Sequence, residues 1–441
     1  MTTSRRGFLT LAGFGALAAA LPGCSTVLSS ELPEPDTRAP GFGASATGRV
    51  EVWCRADTQD GLTELVDSFN RSQDRLTVDL IPIPDAQYVT KLATAIRGRR
   101  VPDLVDIDDI NSLLFVQRDA FTDLTELIDG LGYADRLSPG HLALATMNGR
   151  RYGVPYLADN SVLFCNTDLF RRAGLDVDEA TTDLRSILDA ARRITALGGD
   201  VKGWSFPGNA QGALGFVVQP HIWAADTDLI TGEPGAQRGN VVGNDALAAT
   251  LEFHRALWKD QLVPQASFTD DASRWGSDYK AGRIGMFPSS LGTVTKNASP
   301  DLLAATTVRL LPGPSGGRAF FDGGDNMCIP RGAANASGAW EFVKYALDLP
   351  QQSVLPDGGY TPVRADVATP QFSARQPLVL PPLQAQQEGY APKTLSYNEI
   401  YNQPDGPWLT MFRRAVFDGE VEAAMAQAQE SFDRILGQAR T

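Results

Sequence analysis

Apolar positions along the first part of the chain alternate between two periods. Val50-Glu51-Val52-Trp53-Cys54 has the pattern of a strand, and Leu62, Leu65, Val66 and Phe69 then stand at i, i+3, i+4 and i+7 of a helix. Leu76 to Ile81 predicts the next strand, and Val89, Leu92 and Ile96 the inward face of the helix after it. Asp103-Leu104-Val105-Asp106-Ile107 predicts a third strand. Strands and helices alternating at this spacing imply a mostly parallel sheet with helices on both faces. Ligands of such sheets lie beyond the carboxyl ends of the strands, here after Trp53 and after Val105.

The pattern changes character between Asn148 and Asp176. Turns are expected at Asn148-Gly149 and Gly153-Val154-Pro155. The uncharged run Ser161-Val162-Leu163-Phe164-Cys165 is too short for a buried helix and rich in strand formers. A short helix over Asp168–Ala173 closes on Gly174. A turn, a buried strand and a short helix in mid-chain suit a covalent crossing between two lobes. Beyond it Thr182 can cap a helix with Leu184, Ile187, Leu188 and Ala191 inward, and a further helix is expected from Asp245 to Lys259. Lys280 to Phe287 leaves a helix and enters a strand. Val308 to Leu311 and Met327 to Ile329 are late strands, followed by a helix through Trp340 and Val343. The segment Leu409 to Leu436 reads as helical. Trp340 and Trp258, at helix spacing, are expected in the core.

At 441 residues the chain exceeds one ordinary core, so two lobes are expected, and 43% apolar with 21% charged residues describes a globular protein. The net charge of -13 argues against nucleic acid, whose phosphates need basic surface. The three histidines and four cysteines show no metal-ligand spacing, and no cofactor is expected. Cys54, Cys165 and Cys328 lie in apolar, strand-like settings that suit either three buried thiols or one disulfide with a thiol left over.

Residues 1–23 have the order of an export signal. Arg5-Arg6 stands before Phe8-Leu9 and an Ala/Leu-rich run, too short to span a bilayer, that extends to Leu21. The paired arginines resemble a twin-arginine signal, and Leu21-Pro22-Gly23-Cys24 a lipobox that would make Cys24 a lipidated first residue. Residues 24–47, rich in Ser, Pro, Gly and Thr, read as a flexible tether.

VEVWCRADTQDGLTELVDSFN, PDLVDIDD, GRRYGVPY, FCNTDLFRRAGLD, KAGRIGMFPSSLG, FFDGGDNMCIPRGAANASGAWEFVKYAL and GGYTPVRADV follow one another between Val50 and Ala368. In this order they resemble the extracellular solute-binding proteins, family 1, the carbohydrate-type receptors of bacterial ABC importers. The resemblance implies an α/β, two-lobed periplasmic-binding-protein-like fold with three hinge crossings. These would fall near Asp159–Val162, Phe287–Leu291 and Pro330–Ala334. The first lobe would comprise 48–160 plus 290–331 and the second 161–289 plus 332–441. It also implies a monomeric, lipid-anchored receptor on the outer face of the cell membrane, with a small solute and a permease as partners and no catalysis.

The candidate ligand contacts combine this resemblance with the strand-end argument. Asp57 and Thr58 follow the first strand, Asp106 and Asp109 the third, and Asp159 and Asn160 lie at the crossing. Asp159 takes the place of an acidic ligand-binding side chain in the sugar receptors it resembles. Trp223, Trp275, Tyr279, Tyr360, Arg364 and Trp408 offer rings or charge from the other side, an aromatic ring being able to cover the C–H face of a sugar. The turn Gly323-Gly324-Asp325-Asn326 could bring backbone N–H groups to the cleft. Many family members carry a tryptophan just after the strand at Met286-Phe287-Pro288. Here Ser289-Ser290-Leu291-Gly292 stands instead, which removes a standard stacking platform. A backbone nest with Arg364 would suit a phosphate, as in glycerophosphodiester receptors of this family.

Two other classes compete. Gly313-Pro314-Ser315-Gly316-Gly317 matches the esterase elbow formally, but prolines flank it, a strand follows, and every histidine lies upstream. A glycosidase would need a carboxylate pair such as Asp106/Asp109 to face one substrate. An adhesin would show a broad exposed apolar patch in place of a cleft.

Overall fold

The computed structural model describes residues 32–439; the twin-arginine and lipobox readings, Cys24 included, fall outside them. Strands β1 (Gly48–Arg55), β2 (Leu76–Ile83) and β3 (Leu104–Asp108) are parallel, with β1 in the middle. Gly324–Cys328 adds antiparallel to β3, and Val154–Ala158 completes the sheet. The two-residue period of β1 sends Val50, Val52 and Cys54 to one face and Trp53 to the other. On the first face lies helix α1 (Gln59–Ser72), with Leu62, Leu65, Val66 and Phe69 buried as their spacing predicts. On the second lie α2 (Asp85–Arg97) and α3 (Asp109–Gln117).

A second sheet is ordered Leu311–Gly313, Gly316–Phe321, Ser161–Asn166, Ile284–Ser290, Lys202–Trp204. Ser161–Asn166 and Ile284–Ser290 are buried at every residue, as befits strands covered on both faces. They pair antiparallel from Ser161↔Ser290 to Cys165↔Met286. Two further apolar clusters cover this sheet, one of them including the carboxyl-terminal residues Phe412, Val421 and Phe432.

The chain passes from the first sheet to the second at Asp159–Asn160, between paired strands of each. It returns at Asp322–Gly323 and leaves again between Val363, in the first core, and Val367, in the second. These positions correct two expected crossings and the division of the late chain. Ile284–Ser290 stays wholly in the second sheet, and Leu291 and Val294 join its core. Residues 306–321 add strands to the second lobe, so only Gly324 onward returns to the first. The helix Ala336–Ala346 packs on β1 through Trp340 and Val343 and belongs to the first lobe, not the second.

Residues 32–47 are irregular yet docked, in place of the expected free tether. Phe42 packs on the first core. The N–H of Gly43 donates to Ser337 Oγ at 2.8 Å, and that of Ala46 to Glu341 Oε1 at 2.7 Å. Arg331 donates to Glu34 at 2.8 Å. Helix Ala336–Ala346 thus supplies side chains for a segment that has no hydrogen-bond ladder of its own. Cys54, Cys165 and Cys328 are all buried free thiols. Trp258, expected in the core, is only partly buried, stacked on Phe268.

Trp340 joins the first core to this docked segment. Trp340→Ala is expected to cost about 3–5 kcal/mol, the usual range for emptying a large aromatic site, read as a lower urea midpoint. A loss under about 1 kcal/mol would show that the helix does not depend on this ring.

Candidate ligand-binding cleft

Between the two sheets lies a cavity of about 630 Å³ lined by both lobes. Its first wall is built from the carboxyl ends of β1 and β3. Arg55, Asp57 and Thr58 come from the turn into α1; Asp108, Asp109 and Ile110 from the turn into α3, where Asp108 caps the helix by accepting from Ile110 N–H. The opposite wall carries no acid and combines three rings with Lys280, Ser290, Thr293, Lys296 and Asn297. Phe216 and Phe321 pack at 4.6 Å between ring centroids, and Trp275 stands edge-on to Phe287. Asp159, Gly323 and Gly324 contribute from the crossings, and Tyr360 from a loop of the first lobe.

One half-buried cation organises the first wall. Arg55 donates to both oxygens of Asp325, from Nε at 2.8 Å and Nη2 at 2.6 Å, and reaches Asp85 at 3.3 Å and Asp108 at 3.7 Å. Burial works against its charge, but Asp325 and Asp108 outweigh that and hold the guanidinium well above its ordinary value. Asp106 lies beneath, accepting from Arg55 N–H and from the Thr58 hydroxyl.

The remaining acids are less well compensated. Burial pushes Asp108 up to about 6 against the pull of Arg55. Asp109 is raised further, by burial and then by Asp108 and Asp322, and neither of its oxygens has a hydrogen-bond partner among the described residues. Asp159 lines the cavity with its side chain partly open to solvent. The protein packed around it pushes it up to about 6, and a hydrogen bond from Ser290 pulls it partway back. Carboxylates so placed favour incoming hydrogen-bond donors.

Behind this wall the crossings are tied together. Asn160 donates to Asp322 Oδ1 at 2.6 Å and Ser138 to Asp322 Oδ2 at 2.7 Å. His141 lies between Asp322 and Asp109, 3.4 Å from a carboxylate oxygen of each, and is fully buried.

Of the sequence candidates, Asp57, Thr58, Asp109, Asp159, Trp275 and Tyr360 line the cavity. Asp106 and Asp325 lie under it and bear on it through Thr58 and Arg55, while Asn160 serves the hinge. Others are elsewhere. Trp223 stacks on Tyr390, and Trp408 is fully buried against Tyr401. Tyr279 is buried against Phe287, and Asn326 points its amide at Ser112 and the His141 carbonyl. Arg364 is consumed by Asp366, the Leu347 carbonyl and the Tyr133 ring, so it leaves no guanidinium free for a phosphate. Arg55, Asp108, Phe216, Ser290 and Phe321 were missed. The strand-end rule pointed at the turns holding Arg55 and Asp108; nothing local marked the other three. Among the described residues no His, Cys, Asp or Glu cluster could hold a metal ion.

Two α/β lobes joined by crossings around a polar cleft define a ligand-binding clamp. Residues 64–381 match the family described as bacterial extracellular solute-binding protein, and the chain belongs to it. It is 23% identical over 332 residues to the lactose-binding protein of Rhizobium radiobacter, covering 72% of this chain and 75% of that one. It is 26% identical over 170 residues to the sn-glycerol-3-phosphate-binding periplasmic protein of Rhizobium meliloti, covering 36% and 39%. The sugar-binding protein MalE of Xanthomonas citri superposes with a TM-score of 0.78 at 21% identity, over 89% of this chain and 98% of that one. A Thermotoga lettingae solute-binding protein bound with alpha-D-tagatose gives 0.73 at 21% identity, over 89% and 100%. The family is extracytoplasmic, and among the described residues no helix is long and apolar enough to cross a membrane.

The elevated Asp159 makes a signed prediction. A carboxyl raised from about 3.9 to about 6 on folding contributes stability fully present below the lower value and lost as pH rises through the upper. Asp159→Asn should therefore gain melting temperature relative to the unsubstituted protein as pH rises from about 4 to about 7. A difference that stays flat over that range would refute the assignment.

Proposed function

We propose that the protein is a receptor that captures a sugar or sugar-like solute between its lobes and delivers it to the membrane permease of an ABC importer. The observation that carries this is the contrast between the two cleft walls. Asp57, Asp108, Asp109 and Asp159 offer acceptors on one side and at the crossing, while Phe216, Phe321 and Trp275 offer ring surface on the other. A pyranose is amphipathic in the same sense: its hydroxyls donate to carboxylates and its C–H face lies on rings. The cavity, about 630 Å³, falls in the range of small-molecule sites. Relatives named for lactose and for arabinooligosaccharide support the reading.

A glycerol-phosphate solute is the second reading, on the strength of the shorter match to a protein of that name. Against it stand the carboxylates of the first wall and the commitment of Arg55 to Asp325. Only Lys280 and Lys296 are left as cations in the lining. An anchored glycoside hydrolase is weaker still, because Asp106 is sealed beneath Thr58 and does not face the cavity with Asp109. Attachment through Cys24, export by a twin-arginine route and a monomeric state complete the proposal. The first two rest on the motifs at Arg5-Arg6 and Leu21–Cys24.

Thermal-shift screening against lactose, maltose, arabino-oligosaccharides, glucosamine and glycerol 3-phosphate tests the reading, since a solute bound by the folded state raises the melting point. A sugar is expected to give the rise and glycerol 3-phosphate none; a rise with the phosphate alone would overturn the sugar assignment. With the sugar so found, Asp159→Ala should weaken binding about tenfold or more by calorimetry, the loss expected when a hydrogen bond to a charged group is removed, and Asp109→Asn should weaken it about threefold or more. The fold should stay intact in both. Unchanged affinity in both variants would show that the solute binds elsewhere.

A further inference from the structure

Gly292 is the second residue of the short helix Leu291–Thr295, where glycine is a poor helix former beside alanine. Its backbone is not left-handed, so no turn requires it. A Cβ there, however, would stand 3.3 Å from the carbonyl oxygen of Gly359, and a Cβ on Gly359 would stand 2.7 Å from Gly292 Cα. Gly359 needs glycine on its own account, with φ at +88°.

These two backbones belong to different lobes. Leu291 and Val294 are part of a second-lobe core, while Leu355 and Tyr360, on either side of Gly359, pack on the first. The Tyr360 hydroxyl pins that loop by donating to the Asp57 carbonyl at 2.9 Å. Beside the glycine contact, Lys296 Nζ lies 3.8 Å from Asp60 Oδ2 on α1, a solvent-exposed pair of opposite charges that faces across the lobes. Both glycines and Lys296 line the cavity, so the contact forms part of its wall, close to the waist where Ser290 pairs with Ser161.

We infer that Gly292 and Gly359 form the stop that fixes how far the lobes shut, with Lys296 and Asp60 as an electrostatic clasp beside it. Backbone meeting backbone without an intervening side chain is the nearest approach two lobes can make. A methyl at position 292 asks the Gly359 backbone to give by a few tenths of an ångström, a larger side chain becomes a wedge, and the cavity volume corresponds to lobes resting on this stop. A solute small enough to lie inside lets the stop engage, whereas a longer one holds it apart. The inference depends on the two-lobe geometry and not on which solute binds.

Small-angle scattering of the solute-free protein tests it, with thermal melts to verify folding. Gly292→Leu should raise the radius of gyration relative to the unsubstituted protein, and Gly292→Ala should do so by less. Lys296→Glu, which places like charges face to face, should also expand the molecule, and adding Asp60→Lys should reverse that expansion. Folded Gly292→Leu protein that scatters identically to the unsubstituted one would overturn the stop. Expansion by Lys296→Glu that persists after Asp60→Lys would overturn the clasp. A negative solute screen would leave both outcomes readable.

Discussion

Asp322 occupies the second passage between the lobes, and three separate segments direct polar groups at it. Asn160, on the first passage, donates to one oxygen; Ser138, whose own N–H bonds to the Val363 carbonyl beside the third passage, donates to the other. Its backbone N–H donates to Tyr390. Gly140 and Gly389 stand so close that any Cβ would meet the carboxylate, which explains why both are glycine. A buried carboxylate is tolerated only when its lone pairs are met by donors, so this one imposes its position on every strand entering the waist. Both lobes are therefore joined through this point, whatever the angle between them.

The walls themselves are built on opposite principles. On the first, Arg55 balances a cluster of acids that could not share one site otherwise, and the balance is incomplete at Asp108 and Asp109. On the second, the rings of Phe216, Phe321 and Trp275 stand among Lys280, Ser290, Thr293, Lys296 and Asn297, with no acid. Such a cleft stores unsatisfied acceptors against the arrival of a donor-rich solute, which is a state a protein interior normally avoids. His141 lies in the same buried layer between Asp109 and Asp322, so the cleft floor and the waist share one electrostatic neighbourhood.

Much of the first lobe was legible from period alone. Val50, Val52 and Cys54 alternate, Leu62 to Phe69 repeat as a helix, and both patterns are local. The first passage at Asp159 was legible too, because a turn before an uncharged strand is a local signal. The later chain was not. Phe320-Phe321 and Met327-Cys328 are equally apolar, and only pairing with Ser161 and with Val105 assigns them to different sheets. Those partners lie more than a hundred residues away. The site divides in the same manner. Asp57, Thr58 and Asp109 follow strand ends, a rule that depends on topology; Trp223, Trp408 and Arg364 were chosen by side-chain type, which does not distinguish a wall from a core. The fork of Arg364 finds Asp366 two residues on.

The docking of residues 32–47 along the helix Ala336–Ala346 makes this irregular segment a part of the first lobe. A force applied to the chain at Leu32 is therefore transmitted to the first core through Phe42, Gly43 and Ala46, and reaches the second lobe only through the crossings. Among the described residues the second lobe has no such strap, so it is the half left to swing.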